Sequence, residues 1–293
     1  MRASVLTDAR LLKLAGQFAW LDIDTEQPRN FPFVARFPIE AWPTILVIDP
    51  ATEQVALRWM GTATAEELER LLTGAARRLR RDLADGVEAA MARGAALAAA
   101  RQHAEAASAF RDAIDAGGPR WAGRPAAADA LLQALSLARD PARCAAAARR
   151  LLPTLPPGPA AARVAAAGLG CAEELEPPSA RAEALAALEP AAHGALGYPG
   201  VLADDRIGLY EALLGARKAS QDQAGARRVA SAWLAWIEAE SARAGSPLAR
   251  SAFDGARLTA AIALGEVGRV LPALEASALA LPGEYFALAY LAR

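Results

Sequence analysis

The chain has 293 residues, which at about 150 residues per domain makes roughly two domains. Apolar residues make up 54% and charged residues 22%, enough for a sizeable core and too apolar for intrinsic disorder. Lys+Arg 32 against Asp+Glu 33 leaves a formal charge of −1, without the basic excess of a general nucleic-acid binder; two cysteines cannot make a disulfide scaffold, and two histidines cannot by themselves build a metal centre.

Alanine supplies about a quarter of the chain, and Lys13 and Lys218 are the only lysines among 32 basic residues, a skew expected of GC-rich coding. The longest Ala-rich run, near 160–172, is interrupted by Arg163 and is too short to span a bilayer, which takes about 20 apolar residues. Asp8, Arg10 and Lys13 break up any signal-peptide core, so the chain is expected to be soluble and cytoplasmic unless an export signal lies upstream of Met1.

The composition changes near residue 62. Residues 1–62 hold seven of the seventeen aromatics together with β-like runs, and from about residue 64 Ala, Leu, Arg and Glu recur at helical spacing. Thr7-Asp8 caps a short helix with Leu11, Leu12 and Leu14. Phe18–Ile23 reads as a strand, and Asn30 as the cap of a helix through Phe33, Val34 and Phe37. Thr44–Ile48 is a continuous apolar run, expected to be a strand buried on both faces. Asp49-Pro50-Ala51-Thr52 turns the chain, and Gln54–Trp59 returns as a hairpin strand. Thr64 and Glu67 form a capping box, and the helix they open runs into Arg77–Arg81.

This order of elements, with Trp42-Pro43-Thr44 ahead of an apolar strand, Leu21-Asp22-Ile23-Asp24 at a strand end and Gly61 after the hairpin, resembles the thioredoxin family over roughly residues 1–76. The resemblance implies a cis peptide bond before Pro43, with Trp42, Pro43 and Thr44 helping to hold an extended peptide. It also implies a Cys-X-X-Cys at the start of the first helix, where the helix dipole favours a thiolate. No such motif is present: Cys144 and Cys171 lie far downstream and read as buried small apolar residues. By the same alignment the family's central strand and thiol pair would precede Met1, leaving the Phe18–Ile23 and Thr44–Ile48 strands without their shared neighbour and with unpaired backbone groups. Either the natural protein has that segment upstream, or the unit is a thiol-free binding platform.

From about Asp82 the chain reads as paired helices with breaks at Gly117-Gly118-Pro119, Asp140-Pro141, Pro153–Pro159, Pro177-Pro178, Gly197–Gly200, Gly245–Pro247 and Pro282-Gly283. A period of 30–45 residues marks a helical solenoid. Gly94, Leu97, Ala106, Phe110 and Ala113 are similar to the tetratricopeptide consensus, Phe110 being expected between neighbouring units; Gly265, Val270, Leu274, Ser277 and Pro282 are a weaker match. A generic Ala-rich bundle is the alternative. Trp233, Trp236 and Ile237 share one helix face and read as core. Arg149-Arg150 and Arg227-Arg228 read as charges complementing helix ends, with an acidic partner as the other possibility. Gly168-Leu169-Gly170 reads as a helix break, His103 as a turn residue and His193 as part of a loop.

No hydrolase elbow, zinc-protease motif or Walker loop is present. The expected architecture is an α/β thioredoxin-like domain over 1–81, lacking its central strand and thiol motif, followed by an all-α tetratricopeptide-like domain over 82–293. The expected function is an interaction protein that binds a protein or peptide partner through its helical repeats, with no cofactor, nucleic acid or membrane. The alternative is a thiol–disulfide oxidoreductase whose Cys-X-X-Cys lies upstream of Met1.

Overall fold

The computed structural model describes residues 5–79 and 86–292; the expected boundary at 81/82 and Arg80-Arg81 lie outside them. Thr44–Ile48 (β1) and Val55–Met60 (β2), apolar runs on either side of a tight turn, pair antiparallel, with Ile45 opposite Trp59 and a bulge after Val47. Asp49 organises the turn by accepting from the Ala51 amide and the Thr52 hydroxyl, as its side chain is suited to do. Around the hairpin lie short helices Ala9–Leu12 (α1) and Phe31–Arg36 (α2) and the longer Ala65–Leu79 (α3). The capping box forms as expected: the Thr64 amide donates to Glu67 Oε2 at 2.9 Å and the Glu67 amide to Thr64 Oγ1 at 3.2 Å. Leu68, Leu72 and Ala75 of α3 close a small core with Val5, Leu11, Leu14, Val47, Leu57 and Trp59.

Three expectations for this region are corrected. Phe18–Ile23 is not a strand, and Phe18–Leu21 and Ile23 have no backbone hydrogen-bond partner among the described residues. Apolar, β-prone sequence does not make a strand without a neighbour to complete the ladder. For the same reason β1 is not buried on both faces: only Val47 is fully covered. Asn30 begins α2 but its side chain does not cap it; Nδ2 donates instead to the Asp24 carbonyl.

The rest is helical: Val87–Ala99 (α4), His103–Gly117 (α5), Arg124–Leu137 (α6), Pro141–Leu151 (α7), Pro159–Glu173 (α8), Pro178–Ala195 (α9), Ala203–Ala219 (α10), Gln223–Arg243 (α11), Pro247–Ser251 (α12), Asp254–Leu264 (α13), Val267–Ala280 (α14) and Tyr285–Leu291 (α15). Successive helices pack side by side, and α4 also packs against β2. Four of the helix–helix turns are built alike. After α4, α6, α10 and α13 comes one left-handed residue, Arg101, Arg139, Gln221 or Gly265. The next amide then reaches back to the carbonyl five residues earlier: Gln102 to Leu97, Asp140 to Leu135, Asp222 to Arg217 and Glu266 to Ala261, at 2.9–3.0 Å. This is the Schellman closure, which satisfies carbonyls orphaned at a helix end. Its recurrence gives the body a repeat-like construction.

Small residues set the helix spacing. A Cβ on Gly94 would lie 2.6 Å from the Phe110 ring, so the bare Gly94 lets Phe110 pack within its own helix pair. Gly168 lies within α8 and breaks nothing: it admits Ala148 of α7, whose Cβ would stand 2.4 Å from a Cβ added there. His193 lies in the last turn of α9, not in a loop. Cys144 and Cys171 are bonded to each other across α7 and α8 and are not two separate buried thiols. Trp233 and Ile237 are buried as expected and Trp236 only half so, with Tyr210 stacked 6.0 Å from Trp233. Arg227 serves a helix end, donating to the Leu264 carbonyl at 2.8 Å.

Candidate functional site

Trp42, Pro43 and Thr44 lie at the entrance to β1, and the Trp42–Pro43 peptide bond is cis. The Pro43 carbonyl accepts from the Gly61 amide at 2.8 Å, and the Asp49 amide donates to the Gln54 carbonyl at 2.9 Å. Alternation along an antiparallel ladder then turns Pro43, Ile45, Val47 and Asp49 toward β2 and the backbone groups of Thr44, Leu46 and Ile48 away from it. Those outward groups have no backbone partner among the described residues, where the sheet has two strands only. β1 therefore presents an open edge.

Large apolar side chains accompany that edge. Trp42 is 71% exposed and Leu21 79%, and Trp20 and Phe31 are also exposed. Trp42 Nε1 donates to Thr25 Oγ1 at 3.3 Å, tying the strand entrance to the end of the 18–25 segment, where Trp20 meets Phe18 edge-on at 6.0 Å. The family resemblance implied an extended-peptide contact at Trp42-Pro43-Thr44; the structure places an unpaired edge and the exposed Trp20 and Leu21 in the same unit.

The helical array anchors this loop from below. Glu40 Oε1 accepts from Arg101 Nε at 2.7 Å and lies 3.6 Å from His103 Nε2, while Arg58 Nη1 donates to the Pro38 carbonyl at 2.7 Å. Arg101 and His103 belong to the turn joining α4 and α5, so His103 is a largely covered junction residue. Burial lowers the proton affinity of Arg58, with Glu40 opposing.

A second junction, missed from sequence, centres on Arg163 in α8. Its Nε donates to Asp129 of α6 at 2.7 Å, its Nη1 to Asp205 of α10 at 3.1 Å and its Nη2 to Glu67 of α3. Thr62 Oγ1 donates to Asp205 at 2.6 Å, Gln133 bridges Asp129 and the Met60 carbonyl, and the guanidinium lies 5.5 Å from the centre of the Trp59 ring. All four charged side chains are at least nine-tenths covered. Three carboxylates face one cation, so they do not share its pull equally. Burial would raise Glu67, but the Arg163 charge and the bonds from Arg163 and Thr64 carry it below the usual carboxylate range. Burial raises Asp129 despite Arg163, and pushes Asp205 up to about 6 against the pull of Arg163 and Thr62. Burial disfavours the Arg163 cation, but Asp129, Glu67 and Asp205 outweigh it and raise its proton affinity. The chemical outcome is a dry ionic joint between the hairpin unit and three helices. A lone Arg in an Ala-rich helix, read only as an interruption of the apolar run near 160–172, was the signal for it.

Among the described residues no helix is long and apolar enough to cross a membrane. No protein-family model, no curated protein and no solved structure matches this chain.

Proposed function

We propose that the protein binds an extended polypeptide at the open edge of β1, using an incomplete thioredoxin-like unit held on a tetratricopeptide-like array. The unpaired Thr44, Leu46 and Ile48 backbone beside exposed Trp42 carries the reading. An added strand would satisfy those groups, and alternate side chains would lie against the apolar surface around Trp42. The cis bond at Pro43 and the placement of Trp42 support the thioredoxin-like part, and the recurrent Schellman turns and the Gly94–Phe110 contact support the repeat part. The array supplies the rigid seat through Glu40–Arg101 and the Arg163 joint.

The test is titration of the full chain with extended, alternately apolar peptides, read by tryptophan fluorescence. Saturable binding that is lost when the peptide is N-methylated on the residues that pair with β1 supports strand addition. Binding indifferent to N-methylation contradicts it.

The redox alternative draws no thiol from this chain's own cysteines, which are bonded to each other in the array at 0% and 5% exposure. Insulin reduction by this chain would contradict the binding reading.

A further inference from the structure

Helix α7 presents Cys144 and Ala148 one turn apart, and α8 presents Gly168 and Cys171 one turn apart. With Ala148 seated on Gly168, the helices approach closely enough to set the cysteine Cα atoms 5.9 Å apart, within the span that a disulfide requires. The two sulfurs are bonded, and no free cysteine is left in the described residues. Both residues are sealed in the main core. Cys171 also stands near the C-terminal end of α8, where the helix dipole disfavours a thiolate. A redox catalyst needs an accessible, stabilised thiolate, and this pair has the reverse environment.

We infer that Cys144 and Cys171 form a permanent structural disulfide in the working protein, and that the protein therefore matures and acts in an oxidising compartment and not in the cytosol. Such bonds persist where no thiol pool reduces them. In forming it, the two thiols give up two electrons and two protons to an external disulfide, which leaves as two thiols. The bond also has a mechanical consequence. Arg163 lies eight residues before Cys171 on the same helix, so tying α8 to α7 steadies the helix that holds the hairpin unit.

The test begins in the source cells. Free thiols are trapped with an alkylating agent before lysis, the protein is denatured, and its mass is measured with and without prior reduction. The expected result is no alkyl group without reduction and two with it, in protein recovered from the oxidising fraction. Two alkyl groups without reduction overturn the inference, as does recovery of the protein from the cytosol. Reductant should lower the melting temperature of the purified full chain by about 5–10 °C, and the C144A/C171A double variant should melt at the lower temperature regardless of reductant. Equal melting of the native chain with and without reductant overturns the structural role.

Discussion

The hairpin unit and the helical array close their edges differently. Both bury large side chains, Leu68 and Trp59 in one and Trp233 and Leu213 in the other, and both leave some out, Trp42 at 71% exposed in the hairpin unit and Leu279 at 83% in the array. The difference follows from where each kind of element finds its hydrogen bonds. A helix satisfies its own backbone, so a stack of Ala-rich helices can close wherever small residues allow approach. A strand has both edges paired only with a neighbour on each, and in this two-stranded sheet β1 has one only, as does β2, among the described residues.

The largest effect should come from cutting the joint between the two. Arg163→Ala leaves Glu67, Asp129 and Asp205 buried together without their cation, and should cost about 3–5 kcal/mol, lowering the melting temperature by roughly 5–8 °C in calorimetry. Removing one carboxylate as well, in Arg163→Met with Asp129→Asn, should recover part of that loss. Next comes the array alone. Gly94→Ala places a Cβ 2.6 Å from the Phe110 ring and should cost about 1–3 kcal/mol in urea unfolding, without changing peptide affinity.

The joint also makes the comparison depend on pH. Asp205 is raised from 3.8 to about 6, so the folded state holds its proton more tightly than the unfolded chain. Its stabilising effect is complete below pH 3.8 and is lost as pH rises through about 6. Glu173 in α8, pushed up to about 7 by burial and by neighbouring Glu174, acts in the same direction at slightly higher pH. Glu67 is lowered and acts oppositely, losing its contribution only as pH falls below its usual 4.5. The melting temperature should therefore fall between pH 5 and pH 8. Asp205→Asn should remove the lower part of that decline and Glu173→Gln the upper part. A flat profile in the native chain would contradict these assignments.

The change from strand-forming to helix-forming sequence was legible because composition and period change together near residue 62, where β2 ends and α3 soon begins. Helix starts with Thr64 and Asp8 were legible because short polar side chains cap in a fixed way, whereas Asp140-Pro141, read only as a break, proves to be a cap of the same kind. The repeat register was not, because three of the four Schellman turns use Arg101, Arg139 and Gln221 in the left-handed position, where only Gly265 carries the usual signal. Nor was the Arg163 joint, since Glu67, Asp129 and Asp205 are brought together by tertiary packing from positions up to 138 residues apart. The cis bond before Pro43 was legible through the Trp42-Pro43-Thr44 motif, but the loss of the Phe18–Ile23 strand shows that a strand's existence depends on a partner the local sequence does not contain.

The smallest effect on stability, and a large one on binding, should come from Trp42→Ala. A side chain this exposed contributes little to the core, so melting should shift by a degree or two, while peptide affinity should fall about tenfold or more.

Amide hydrogen exchange at Leu46 and Ile48 addresses the open edge most directly. In the free protein both amides should exchange rapidly although they lie in a strand, and a saturating extended peptide should slow both by at least about tenfold while leaving Ile45 and Val47 unchanged. Slow exchange at Leu46 and Ile48 before any peptide is added, or no change when it is, would contradict the account.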